Sequence, residues 1–126
     1  MTVLDTIKNV LDGLLGDPNV QMQDVWYGAC RDRSMDLWNY FVFNRSKTVK
    51  SSNNVDLETY YEVHIVHEDY IPEGYVETVI AALEGQKVQK LRATSETIRY
   101  DYTFKGATDM VVEIATITFV HPEKRQ

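Results

Sequence analysis

The chain has 126 residues, of which 44% are hydrophobic and 25% are charged, and its 13 basic and 19 acidic side chains give a formal net charge of −6. This acidic balance excludes a strongly basic nucleic-acid binder, whose affinity would come from neutralising phosphates. The length and composition are typical of one folded domain, so we expect a single domain over residues 1–126.

The N-terminal segment predicts an amphipathic helix over residues 2–15. Thr2 and Asp5 have the spacing of a capping box, and Gly16 is typical of a helix end. Between them, apolar residues recur at helical spacing: Val3, Ile7, Val10, Leu11 and Leu14. The chain opens without a secretory signal pattern and has no apolar run long enough to span a membrane, so we expect a cytosolic product with no membrane partner.

Two strands are predicted next. Alternating apolar residues from Val20 to Trp26 indicate the first strand, which leads into a loop at residues 28–34. This loop holds the single cysteine, Cys30, which cannot form an internal disulfide and fits a reducing compartment. In the second strand, residues 37–45, large apolar side chains point to both sides, so it is expected to be central or covered by a partner. Its candidate interface residues are Trp38, Tyr40, Phe41 and Phe43.

Residues 45–56 are rich in serine, asparagine and basic side chains, which predicts a long loop between two strands. Long loops inside compact domains are usually functional or disordered, and this one carries positive charge on an acidic protein. One interpretation is a solvated loop, and the other is attraction to an acidic neighbour such as a second copy of the chain. The candidate interaction residues are Arg45, Lys47, Lys50, Asn53 and Asn54. A second basic cluster is formed by Lys87, Lys90 and Arg92.

The remaining pattern predicts an α+β fold. A long alternating strand is predicted from Leu57 to Asp69. A second helix is predicted to begin at Ile71, since Pro72 is tolerated in a first helical turn, and to end at Gly85. Two further alternating runs, joined by a loop at residues 105–109, predict a hairpin. We therefore expect two helices packed on a mainly antiparallel or mixed sheet of about five strands, in the order α-β-β-β-α-β-β.

The combinations of reactive side chains do not predict catalysis or a metal site. His64 and His67 lie three apart on a strand, so they should face opposite sides of the sheet and cannot share one ion. Cys30 with His64 or His121 lacks the local signature of a nucleophile and base. The scattered glycines exclude the usual phosphate-binding loops. We therefore expect no enzyme activity and no catalytic, cofactor-binding or metal-binding residue.

Aromatic side chains alternate along one late strand at Tyr100, Tyr102 and Phe104. Such a ladder can stack nucleic-acid bases when it lies in a positively charged groove. The charged residues between and beside these rings nearly cancel, which removes that interpretation. We expect the three rings to pack against the helices instead.

In order and size, these elements resemble the neck proteins of long-tailed bacteriophages, in the group of tail terminators and tail-completion proteins. The resemblance spans essentially the whole chain and rests on the opening helix at residues 2–15, the loop at 45–56, the helix start at 71–77, the closing strand at 111–119 and the basic end at 122–125. It implies a small α+β protomer, with helices on one side of the sheet, that assembles into a ring, commonly a hexamer.

The resemblance also implies a function and partners. A virion assembly protein of a phage or prophage neck ends tail-tube polymerisation and performs head-tail joining by presenting a surface to the connector. The implied partners are further copies of the chain, the tail-tube protein and the head-tail connector proteins, with no cofactor. DNA passes through the channel without specific binding, which fits an acidic wall. The implied location is the virion tail or neck, and the host cytoplasm during assembly.

Two other functions stay open. One is a small ligand-binding or enzymatic α+β domain whose apolar pocket is lined by Trp26, Trp38 and Tyr40. A closed pocket with convergent polar groups would favour it. The other is a head-completion, stopper or minor capsid adaptor protein of the same neck, which sequence alone does not separate from a terminator because both form rings.

Overall fold

In a computed structural model, the protein folds as two helices on one side of a mixed sheet, and the structure describes residues 2–30, 37–50, 56–86, 90–94 and 98–124. The helices are α1 (Val3–Leu15) and α2 (Tyr75–Glu84). The strands in these ranges are β1 (Asp24–Tyr27), β2 (Tyr40–Lys50), β3 (Asp56–Glu68), β4 (Arg92–Ala93), β5 (Arg99–Phe104) and β6 (Val111–Lys124).

The strand order is β1-β2-β3-β6-β4, and β5 also pairs with β6. β1 and β2 are parallel, whereas every other described pair is antiparallel. β3 and β6 form the central ladder, which runs from Asp56 opposite Lys124 to Glu68 opposite Val112. The predicted α+β class and the order of the main elements are therefore confirmed. The two-residue strand β4 was not predicted.

The hydrophobic core lies between the two helices and one face of the sheet, which we call the helix face. α1 contributes Ile7 and Leu11, and α2 contributes Val79 and Leu83, none of them more than 1% exposed. The sheet contributes alternate residues of its central strands: Phe41, Phe43, Val63, Ile65, Ala115, Ile117 and Phe119. This alternation follows from the two-residue period of a strand.

Helix α1 begins with the predicted capping box. The Thr2 hydroxyl accepts a hydrogen bond from the Asp5 backbone N–H, and the Asp5 carboxylate accepts one from the Thr2 N–H, both at 3.1 Å. The hydrogen bond from the Thr2 backbone is the main cause that lowers the pKa of Asp5. The box satisfies two polar groups that the first turn of a helix leaves open.

Helix α2 begins at Tyr75, later than the predicted start at Ile71. The N–H of Ile71 instead donates to the Glu113 carboxylate at 2.8 Å, which fixes this buried residue against β6 before the helix starts. Gly74 then enters the helix with φ of 94°, a left-handed conformation that glycine adopts without strain. The predicted end at Gly85 is confirmed.

The predicted loop at residues 45–56 is largely strand. Arg45 to Lys50 extend β2 and pair with Leu57 to Tyr61, with a bulge between Arg45 and Lys47. Between the two strands, residues 51–55 lie outside the described residues. The sequence misled because all six side chains from 45 to 50 are exposed, and an exposed strand can have the polar composition of a loop.

Candidate functional site

The basic end of β2, Arg45 to Lys50, is the first candidate surface, and we call it the β2 arm. Three of its six exposed side chains are cationic, namely Arg45, Lys47 and Lys50. The Nζ atom of Lys47 lies 4.8 Å from the centroid of the Tyr60 ring, a cation–π contact. β1 pairs with the first four residues of β2, Tyr40 to Phe43, so β1 does not border the arm. The predicted basic residues are therefore held on a paired strand rather than in a loop.

The other predicted basic and polar residues are not part of the β2 arm. Asn53 and Asn54 lie outside the described residues, as does Lys87 of the second basic cluster. Lys90 and Arg92 are exposed near the short strand β4. In the sheet, β3 and β6 lie between Arg92 and the β2 arm.

The four candidate interface residues of the strand from residue 37 divide between two environments. Phe41 and Phe43 lie on the helix face and are 0% and 3% exposed, buried by the protomer's own helices and strands. They cannot contact a second copy, so their assignment to an interface is corrected. Trp38 and Tyr40 are half-buried, and Tyr40 points away from the helices.

Three aromatic rings on β5 form the second candidate surface, which we call the β5 aromatic face. Tyr100, Tyr102 and Phe104 are 49%, 64% and 60% exposed, so the expectation that they pack under the helices is wrong. They do point to the helix face, since Tyr100 lies opposite Ala115 of the core. The helix layer ends too early to cover them, because α2 begins only at Tyr75.

A groove separates β5 from the start of α2, and we call it the β5–α2 groove. It has a volume of about 380 Å³ and is lined by Ile71, Pro72, Glu73, Gly74, Val76, Glu77 and Tyr100. The two glutamates are exposed, whereas Ile71 and Val76 are buried and form an apolar floor. The groove therefore combines negative charge with apolar surface, and none of the described residues that line it is basic.

Glu113 connects the two sides of this groove. One carboxylate oxygen accepts the Ile71 N–H and the other accepts the Tyr102 hydroxyl, both at 2.8 Å. The hydrogen bond to Glu113 is the main cause that raises the pKa of the Tyr102 phenol. Sequence reasoning missed this role, although a carboxylate at a strand position that shares a face with Ala115 and Ile117 was a usable signal.

A second groove lies on the sheet face that points away from the helices, and we call it the polar-face groove. It has a volume of about 430 Å³ and is lined by Gly28, Ala29, Cys30, Tyr40, Val42, His64, Val66 and Ile114. Of the three aromatic residues predicted to line a pocket, Tyr40 lines this groove, whereas Trp26 and Trp38 are not among its lining residues. Burial raises the pKa of Tyr40, and the charge of Cys30 adds to this effect.

His64 is held in a hydrogen-bonded network at the edge of the polar-face groove. Its Nε2 lies 2.9 Å from the Asn44 side-chain oxygen, and its Nδ1 lies 2.9 Å from the Thr116 hydroxyl. The Asn44 amide nitrogen donates to Glu62 at 3.1 Å, which orients the Asn44 oxygen toward the ring. Nε2 therefore carries the proton, and Nδ1 of the neutral ring accepts from Thr116.

The charge state of His64 follows from its burial. Burial lowers the pKa of His64, and Arg99 acts in the same direction, whereas Glu62 and Asp101 oppose it. The neutral ring is therefore the stable form at neutral pH. His64 shares no site with His67, which lies on the other face and packs edge-on against Tyr75 at 5.9 Å between ring centroids.

The polar side chains around His64 and Glu113 are hydrogen-bonded to one another and to the backbone. In the described part of the chain, no group of three or more His, Cys, Asp and Glu side chains is arranged to hold a metal ion. Of the described helices, neither is long and apolar enough to cross a membrane. The polar atoms around His64 satisfy one another, which is typical of a structural network.

A scan against protein-family models and a search of curated proteins gave no match to this chain. Three surfaces of the molecule are candidates for function. These are the β2 arm, the β5 aromatic face with the adjoining β5–α2 groove, and the polar-face groove.

Proposed function

We propose that this chain is a structural virion assembly protein of a phage or prophage neck. In this role it forms a ring as a tail terminator or tail-completion protein, ends polymerisation of the tail tube and joins the tail to the head connector. It acts through contacts between copies and with its neighbours, and it transforms no substrate. The observation that carries the proposal is the β5 aromatic face on an edge of the sheet.

An exposed edge strand with aromatic side chains favours a protein that associates. β5 pairs with β6 on one side, and all six of its side chains are exposed. Soluble monomers usually protect such edges, because unpaired backbone groups and apolar side chains promote association. The exposed fractions of the three rings correspond to roughly 350 Å² of surface, if a whole aromatic side chain presents about 200 Å². A patch of that size is often an interaction site.

The acidic charge supports the same role. The chain has a net charge of −6, and a channel wall built from an acidic protein repels phosphate and does not hold a passing genome by attraction. A basic β2 arm on this acidic chain gives each copy two surfaces of opposite sign. Opposite charge on different surfaces of one protomer favours ordered association of copies.

Size-exclusion chromatography with light scattering tests this proposal. The purified chain should form a discrete oligomer at high concentration, or on tail tubes assembled from the tail-tube protein encoded in the same genome. Electron microscopy should then place it at the tube end, with tubes of limited length. A chain that stays monomeric and never binds the tubes would contradict the proposal. Neighbouring portal and tail genes would support it, and genes for metabolic enzymes would count against it.

The polar-face groove supports a second candidate, a small ligand-binding domain. Its volume is within the usual range for small-molecule sites, and its lining combines apolar side chains with Tyr40 and His64. Thermal unfolding with a library of small aromatic and acidic compounds tests it. A ligand present at 100 times its Kd should stabilise the fold by about 2.7 kcal/mol. Absence of any stabilising compound would leave the assembly role as the better explanation.

A head-completion, stopper or adaptor protein of the same neck would also self-associate, so the oligomeric state does not distinguish it from a terminator. The point of attachment distinguishes it from a terminator. A stopper or adaptor should bind the connector and leave the length of tail tubes unchanged, whereas a terminator should limit that length.

A further inference from the structure

We propose that the β5–α2 groove of one copy binds the β2 arm of a second copy. This inference rests on the proposed association of copies and names the two surfaces that meet. The observations behind it are the opposite charges of the two surfaces, their exposed apolar side chains and their positions at opposite ends of the sheet.

The charges of the two surfaces are complementary. Residues 45–50 contain three cations and no acidic side chain. The β5–α2 groove presents Glu73 and Glu77, both exposed, and among the residues that the structure describes no basic side chain lines it. On a chain whose net charge is negative, the positive arm of a neighbour is the segment of this protein that best matches this groove.

The apolar parts of the two surfaces also match. Val49 is 42% exposed and shares one face of the β2 arm with Lys47. The β5 aromatic face beside the groove contributes roughly 350 Å². The smallest specific interfaces bury about 600 Å² on each partner, so the rings alone are not enough. Contact with the groove and its glutamates supplies the additional area.

A copy cannot place its own arm in its own groove. β3 and β6 lie between β2 and β5 in the sheet, and the surfaces are also far apart along the strands. The arm ends where Lys50 pairs with Leu57, which lies opposite Glu123, whereas β5 pairs with the other end of β6, at Val111 to Thr116. Measured along β6 from the end of β5 at Thr116, the separation is three residues to Phe119, level with Arg45, and seven to Glu123, level with Lys50, or about 10 to 23 Å at 3.3 Å per residue. The arm must therefore come from another molecule.

This contact is head-to-tail, because the two surfaces that meet are different. A contact between unlike surfaces leaves one arm and one groove free on every pair, so further copies add until a ring closes or a filament grows. The position of the arm on a paired strand limits its motion, which favours a defined angle between copies, and a ring forms where that rotation closes.

Charge reversal on each surface, followed by mixing, tests the proposal. The arm variant carries Arg45→Glu and Lys50→Glu, and the groove variant carries Glu73→Lys and Glu77→Lys. Sedimentation velocity from about 10 μM to 1 mM should show at least tenfold weaker self-association for each variant than for the natural chain. Mixing the two variants restores opposite charges at every contact, so the mixture should again form the oligomer of the natural chain. One chain that carries all four substitutions should also assemble.

The controls separate a specific contact from general charge effects. Lys8→Glu with Lys90→Glu changes the net charge as much as the arm variant does, at exposed positions elsewhere, and should assemble normally. Circular dichroism and thermal unfolding should show that every variant is folded. If the natural chain assembles and the mixture of folded variants does not, the arm does not bind the groove, although the proposed function stands. If the natural chain stays monomeric up to 1 mM and on tail tubes, both proposals are wrong.

Discussion

Glu113 holds the segment before α2 and strand β5 together, and Glu113→Ala is expected to lower the free energy of unfolding by about 2 kcal/mol. The larger part comes from Ile71, which is 8% exposed and would lose the acceptor for its backbone N–H. A buried donor left without a partner costs about 1 to 3 kcal/mol. Tyr102 adds little, because its side chain is 64% exposed and water can replace the lost carboxylate.

Urea unfolding followed by circular dichroism measures this loss. With an m-value of about 2 kcal/mol/M, the unfolding midpoint should fall by about 1 M while m itself stays the same. Glu73→Ala is the matched control, since Glu73 is an exposed carboxylate of the same groove, and it should change stability by less than about 0.5 kcal/mol. A loss below about 0.5 kcal/mol for Glu113→Ala would refute the reasoning, because it would mean that water reaches the Ile71 N–H.

Two further predictions concern His64 and the strand that contains Phe41. Burial lowers the pKa of His64, so the folded chain binds a proton at His64 less readily than the unfolded chain does. The free energy of unfolding should therefore fall as the pH drops below 6.5, the ordinary pKa of histidine, and should become constant below the pKa of His64 in the folded chain. Urea unfolding at several pH values should show a weaker pH dependence for His64→Gln, and equal dependence in both chains would contradict this. Phe41→Ala should lower the free energy of unfolding in urea by about 3 to 5 kcal/mol, because the Phe41 ring is 0% exposed. Tyr40 is half-buried, so an equal loss for Tyr40→Ala would contradict the environments described for the two side chains.

The sequence predicted the elements whose determinants are local. The capping box at Thr2, the end of α2 at Gly85 and the hairpin around residues 105–109 depend on side chains within a few positions of each other. The opposite orientation of His64 and His67 follows from the strand period alone. These features were therefore predicted without knowledge of the tertiary structure.

The errors concern features that depend on distant parts of the chain. Alternation along β5 indicates a strand, but whether Tyr102 is covered depends on where α2 begins. That start depends in turn on Glu113, which lies 42 positions after Ile71. The polar composition of the β2 arm also led to its prediction as a loop, because the pairing of its backbone with β3 is evident only in the folded sheet. The candidate site was missed for the same reason, since its two walls are distant in sequence.

The placement of β6 between β3 and the edge strands has a consequence for biosynthesis. β3 ends at Glu68, so it is complete before β6, which begins at Val111, leaves the ribosome. At 5 to 20 residues per second, the 42 intervening positions take roughly 2 to 8 s to translate. During that interval β3 lacks its partner β6, so chaperones or other nascent copies of the chain can bind β3 before β6 does. Translation speed along residues 69–110 therefore sets how long the nascent chain is open to premature aggregation.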